Sequence, residues 1–142
     1  MQLAEHIAGW SKEHGRKVGA VIVGPDNEVR ATGFNGFPRG VNDDIEDRHR
    51  RDNGAKYIWS AHAEVNAVCN AARVGVPLKG CRIYSLLYPC VDCAKVIIQS
   101  GLGEVIAPQP DFGDLKWGED FKNASIMLAE ANVNVRCFSE NS

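Results

Sequence analysis

The stretch CRIYSLLYPCVDCAKVIIQSG, Cys81 to Gly101, changes its pattern halfway along. Cys81 to Leu87 is a short apolar run that reads as a buried strand, whereas Cys90 to Ile98 reads as a helix that Ser100 and Gly101 end. Pro89 suits the helix start, where its missing N–H costs nothing. A strand running straight into a helix is a building unit of α/β folds, and the flanking sequence repeats the alternation. Upstream, Ala61 to Val74 carries Val65, Val68, Cys69 and Ala72 on one helical stripe, stopped by Gly75 and Pro77. Downstream come a short strand at Glu104–Ala107, a helix over Phe121–Ala131 and a strand over Val133–Phe138.

The N-terminal third differs. Leu3, Ile7 and Trp10 stand at helical spacing within residues 3–12. Val18 to Val23, the turn formers Gly24-Pro25-Asp26-Asn27 and then Glu28 to Thr32 read as a β-hairpin. Residues 33–59 are rich in glycine and charge, and so long a connection is usually functional or mobile, with part of it helical. A hairpin followed by alternating helices and strands predicts a mixed sheet flanked by helices, a three-layer α/β/α domain. No repeat, low-complexity tract or linker divides the chain, so one domain over residues 1–142 is expected.

Composition narrows the function. The 142 residues are 44% hydrophobic, enough for a real core, and carry a formal net charge of -2. That balance argues against a nucleic-acid partner, which would show a basic excess. No stretch resembles a signal peptide or a bilayer span, and five cysteines, an odd number, argue against a disulfide framework. A soluble cytoplasmic protein with no membrane partner is expected.

Two pieces carry chemistry. AHAEVNA, Ala61 to Ala67, puts His62 and Glu64 one residue apart at a helix start, and YPCVDCAK, Tyr88 to Lys95, puts Cys90 and Cys93 in the first turn of the next helix. Zinc favours imidazole and thiolate, and a catalytic zinc keeps three protein ligands and an open position for water. His62, Cys90 and Cys93 supply such a set, and a helix N-terminus favours thiolate. The geometry requires the first helix to begin near Ala61, so that the metal sits off its end and Glu64 stands as a base beside the bound water. The alternatives are a closed zinc site, or no metal with both cysteines in the core. His6, His14, His49, Cys69, Cys81 and Cys137 have no motif joining them to the trio as a fourth ligand. The complete pattern, H-x-E followed by P-C-x-x-C, marks the zinc-dependent nucleoside and base deaminases.

With SKEHGRKVGAVIV (Ser11–Val23), TGFNGFPRGVNDD (Thr32–Asp44), HAEVNAV (His62–Val68) and PCVDCAKVIIQSG (Pro89–Gly101), the chain resembles the deoxycytidylate deaminase branch of the zinc-dependent cytidine deaminase superfamily. The resemblance implies a five-stranded sheet between helices, and homo-oligomers that are often hexamers. It implies conversion of dCMP to dUMP for thymidylate synthesis, with activation by dCTP and inhibition by dTTP. It assigns His62, Cys90 and Cys93 to zinc, Glu64 to proton transfer and Asn35 to the nucleoside, with Phe112 against the pyrimidine. Asn35 has a competing reading as a turn residue, and Phe112 and Trp117 as ordinary packing. Lys116 and Arg39 are candidates for the 5′-phosphate. The loop from Gly33 to Asp44 offers the amides around Gly36, Arg39 and the pair Asp43 and Asp44 to a nucleotide effector with magnesium.

Leu86 stands where many relatives carry a small hydroxyl residue. A second zinc is not expected, and His14 and His49 read as solvated surface residues. The competing functions are a tRNA-adenosine or single-stranded-DNA cytosine deaminase and a non-catalytic regulatory module. The first lacks positive charge, and the second has no use for Glu64.

Overall fold

The computed structural model describes residues 1–139. Five strands form one mixed sheet: β1 (Gly19–Val23), β2 (Val29–Phe34), β3 (Arg82–Ser85), β4 (Glu104–Pro108) and β5 (Asn134–Phe138), in the order β2-β1-β3-β4-β5. β1 runs antiparallel to both β2 and β3, whereas β3, β4 and β5 are parallel to one another. The β1–β2 turn is closed by Gly24 N–H donating to the Glu28 carbonyl at 2.8 Å, with Asn27 at φ 65°. Asparagine tolerates that left-handed position well.

Five α-helices accompany the sheet: α1 (Gln2–Ala8), α2 (Ala55–Trp59), α3 (Ala63–Val74), α4 (Val91–Gln99) and α5 (Gly118–Glu130). β1 is buried on both faces, which explains its unbroken apolar run. Ala20 and Ile22 join Ile83, Val105 and Ala107 under α3, α4 and α5, in a core that includes Ala67, Ile97 and Leu128. On the other face, Val21 packs with Ala4 and Ile7 of α1. The expected three layers are present, with α1 on one face of β1 and β2 and α3 on the other. Among the described residues, no helix is long and apolar enough to cross a membrane.

α1 is shorter than its periodicity suggests. It ends at Ala8, and of Leu3, Ile7 and Trp10 only Ile7 is buried; Trp10 is 56% exposed. The long connection holds a 3-10 turn at Glu46–His49 and then α2. His14 is exposed as expected, whereas His49 is partly buried: its ring stacks on that of His14 with centroids 4.1 Å apart and on Phe37 at 4.7 Å.

α3 lies so close on β2 that one position must lack a side chain. A Cβ on Gly33 would fall 2.3 Å from the Ala67 amide nitrogen and 2.4 Å from the Ala63 carbonyl oxygen. Gly33→Ala therefore forces the helix off the sheet, an overpacking cost of about 1–3 kcal/mol. The melting temperature is expected to fall by several degrees, and an unchanged melting curve would refute the close approach.

Candidate metal centre and active site

Two helices begin at the same place. His62 is the residue before α3, with an extended backbone (φ -74°, ψ 154°), and Cys90 stands likewise before α4 (φ -73°, ψ 173°). Ala61 pairs with Gly36 in an isolated antiparallel bridge, which holds the entry to α3 against the end of β2. Asp120, in the first turn of α5, accepts the Val91 N–H at 2.8 Å and so fixes the start of α4 from outside.

The ligand atoms of His62, Cys90 and Cys93 all lie within 4.8 Å of one another. His62 Nδ1 is 3.3 Å from Cys93 Sγ and 3.4 Å from Cys90 Sγ. A tetrahedral zinc with bonds of about 2.1 Å to nitrogen and about 2.3 Å to sulfur separates such ligands by about 3.5 Å. The donor set and its spacing fit that ion. No other group of three histidine, cysteine or acidic residues converges in this way among the described residues. All five cysteines are free, and Cys81 is buried in the core.

Charge distribution agrees with a cation site. A hydrogen bond with Cys93 lowers the Cys90 thiol to about 5, helped by His62, while the Cys93 thiol is pushed up by that contact and by burial. Hydrogen bonding to Cys90 raises the His62 imidazole. Glu64, 4% exposed, is raised mainly by desolvation, with a hydrogen bond from Ser85 acting the other way.

Ser85 is a site residue that the motif does not contain. Its Oγ is fully buried and donates to Glu64 Oε1 at 2.6 Å, while Glu64 Oε2 lies 3.5 Å from Cys93 Sγ. The hydroxyl therefore holds one carboxylate oxygen and leaves the other facing the ligand cluster. Strand alternation was the available signal, because residue 85 shares the core-facing side of Ile83.

His62, Cys90 and Glu64 line a cavity of about 510 Å³, within the size range of small-molecule sites. Of the residues singled out for substrate, Asn35, Lys116 and Trp117 line it, and Phe112 does not. Tyr88 and Phe121 stand in its wall and pack edge to face at 5.7 Å. Asn35 is buried, and both ends of its amide are engaged: Oδ1 accepts the Val18 N–H at 2.8 Å and Nδ2 donates to the Arg16 carbonyl at 2.9 Å. Arg39 lies elsewhere, donating to Asn70 Oδ1 at 2.7 Å and lining a second cavity with Gly36 and Asp43; Asp44 is outside both linings.

Comparison with known proteins points the same way. The family described as the cytidine and deoxycytidylate deaminase zinc-binding region matches residues 1–108. An uncharacterized deaminase of Aliivibrio fischeri is 38% identical over 94% of this chain and 87% of its own. The deoxycytidylate deaminase of Mus musculus is 37% identical over 98% of this chain and 77% of its own. Among solved structures, the dCMP deaminase of cyanophage S-TIM5 in complex with dCMP and dUMP superposes with a TM-score of 0.75 at 25% identity, covering 96% of this chain and 92% of that one.

Because the metal ties two helix starts together, Cys93→Ser is expected to lose most bound zinc and to melt at a lower temperature than the zinc-loaded wild type. Elemental analysis and a melting curve check this. A zinc-replete, equally stable variant would mean that Cys93 is not a ligand.

Proposed function

The chain belongs to the cytidine and deoxycytidylate deaminase family, and from that premise we propose that it hydrolyses dCMP to dUMP and ammonia. The observation that carries this reading is the convergence of His62, Cys90 and Cys93 beside a cavity that His62 and Cys90 line, with the buried Glu64 carboxylate next to them. A zinc ion held by these three residues supplies the Lewis acidity that makes water nucleophilic near neutral pH.

The remaining roles fall to the chain's own groups. Tyr88, Trp117 and Phe121 offer an apolar wall to a flat ring, while Asn35 keeps the Arg16–Val18 segment in place along the opening. Glu64 takes a proton from water as oxygen bonds to C4 of the pyrimidine and delivers it to N3. It then takes the proton of the new C4 hydroxyl and passes it to the 4-amino group, so that the C4–N bond breaks, the C4 carbonyl forms and ammonia leaves. Ser85 restrains Oε1, so the transfers fall to Oε2. Burial keeps the carboxylate from exchanging protons freely with bulk water.

Glu64→Ala should abolish ammonia release from dCMP while keeping about one zinc per chain, because the carboxylate moves protons and does not bind metal. Normal turnover by that variant would refute the mechanism. Assays of dCMP, cytidine and a short single-stranded oligonucleotide beside each other test the substrate. Equal rates on dCMP and cytidine would refute the nucleotide preference.

Effector control has a separate support. The second cavity, about 350 Å³, is lined by Gly36, Arg39 and Asp43 together with Lys12, Glu13 and His49. A nucleotide triphosphate with magnesium suits its amides, its arginine and the Asp43 carboxylate. Glu13 connects the two cavities, because its carboxylate pairs with Lys56 at 3.4 Å and accepts from Ser60, and both partners line the first. A shift of Glu13 on effector binding thus reaches the substrate cavity, which gives the two sites a means of coupling. Magnesium-dCTP is expected to raise turnover at low dCMP, and magnesium-dTTP to lower it and make the saturation curve sigmoidal. A hyperbolic curve untouched by either nucleotide removes the regulatory reading alone.

A further inference from the structure

Ser85 occupies a place where a core takes an apolar residue. It is the last residue of β3, pairs with Ala20 of β1 and is fully buried on the core-facing side of the sheet. A serine there lowers stability unless its hydroxyl is used. The hydroxyl has two polar neighbours among the described residues. Its oxygen lies 2.6 Å from Glu64 Oε1 and 3.4 Å from the Leu87 amide nitrogen. An N–H can only donate, so the Leu87 amide, weakly held at that distance, takes a lone pair of the oxygen. The hydroxyl hydrogen is left with one acceptor, the Glu64 carboxylate. The backbone thus sets the direction of the bond: Ser85 donates and Oε1 accepts.

A fixed direction matters to a group that gains and loses a proton. An ionised carboxylate accepts at both oxygens, whereas a protonated one turns one oxygen into a donor. A proton on Oε1 would set two hydrogens against each other and leave the buried Ser85 hydroxyl without an acceptor. A proton on Oε2 leaves the Ser85 bond intact. Oε2 is also the oxygen that faces the ligand cluster, 3.5 Å from Cys93 Sγ. The carboxylate can therefore pass between its two charge states without turning.

We propose that Ser85 is a positioning residue that sets the rate of the chemical step, by keeping Glu64 oriented with Oε2 toward the reacting atoms throughout the cycle. This rests on the deamination reading, in which water gives its proton to Oε2 and N3 of the pyrimidine receives it from there. Ser85 lines neither cavity, so its effect falls on proton transfer and leaves nucleotide binding alone.

The test compares Ser85→Thr with Ser85→Val in the zinc-loaded protein. Both add one methyl to the serine and both suit a strand, so their difference isolates the hydroxyl. Single-turnover release of ammonia from dCMP is expected to be slower in Ser85→Val than in Ser85→Thr by about tenfold, the scale of a lost hydrogen bond to a charged group. The two should share one KM and one zinc content. Equal single-turnover rates overturn the proposal. So does a difference confined to KM or to zinc content, because it reveals a structural role alone. Should the added methyl unfold both, Ser85→Ala removes only the oxygen, and a wild-type rate in that variant overturns the proposal as well. A wild type that releases ammonia from neither dCMP nor deoxycytidine refutes the deamination reading instead. Crystal structures of the two zinc-loaded variants then judge the orientation by itself: a Glu64 carboxylate turned in Ser85→Val alone supports it, and one placed identically in both overturns it.

Discussion

Everything at the site depends on two helices starting at one point. His62 and Cys90 occupy the same structural position, the extended residue before a first helical turn, on two different helices. Each places a donor atom off a helix end, where unpaired N–H groups favour the thiolate form. The sheet makes the meeting possible. β3 leads directly into the start of α4, while α3 is pressed onto β2 and β1 by the absence of a side chain at Gly33. The Gly36–Ala61 bridge and the Asp120 carboxylate then fix the two starts from opposite sides. A metal site needs its ligands placed to within a fraction of an ångström, and here backbone pairing supplies that precision.

Much of this was legible in the sequence because its information is local. The Cys90–Cys93 spacing and the His62–Glu64 spacing are properties of one helical turn each, and strands Cys81–Leu87 and Val18–Val23 announce themselves as apolar runs. What could not be read are contacts made by folding alone. The Arg51 guanidinium reaches Gly15 across 35 intervening residues of chain, and Glu13 finds Lys56 and Ser60 over a similar separation. The Ser85 hydroxyl was hidden for a smaller reason: a hydroxyl was sought at residue 86, although strand alternation gives the core-facing side to residue 85. Phe112 was matched across a loop; the cavity wall holds Trp117, Tyr88 and Phe121, and Phe112 stands outside that lining.

Asn35 illustrates how a turn residue and a site residue can be the same residue. Its amide is wholly engaged by the backbone of Arg16 and Val18, the task expected of a structural asparagine. That engagement is what gives the cavity one of its sides. Asn35 thus holds the segment beside the cavity and also lines the cavity itself.

The substrate cavity also bears on how such a protein changes over time. The reacting groups belong to helix starts anchored in the sheet, whereas Arg16, Arg51 and Lys116 belong to connections outside the strands. Connections accept insertion and substitution far more readily than packed elements. The chemistry is thus inherited with the scaffold, and the identity of the molecule presented to it can drift independently. A descendant that lengthened residues 10–18 or 109–117 would retarget an intact reaction, without re-evolving the reaction itself.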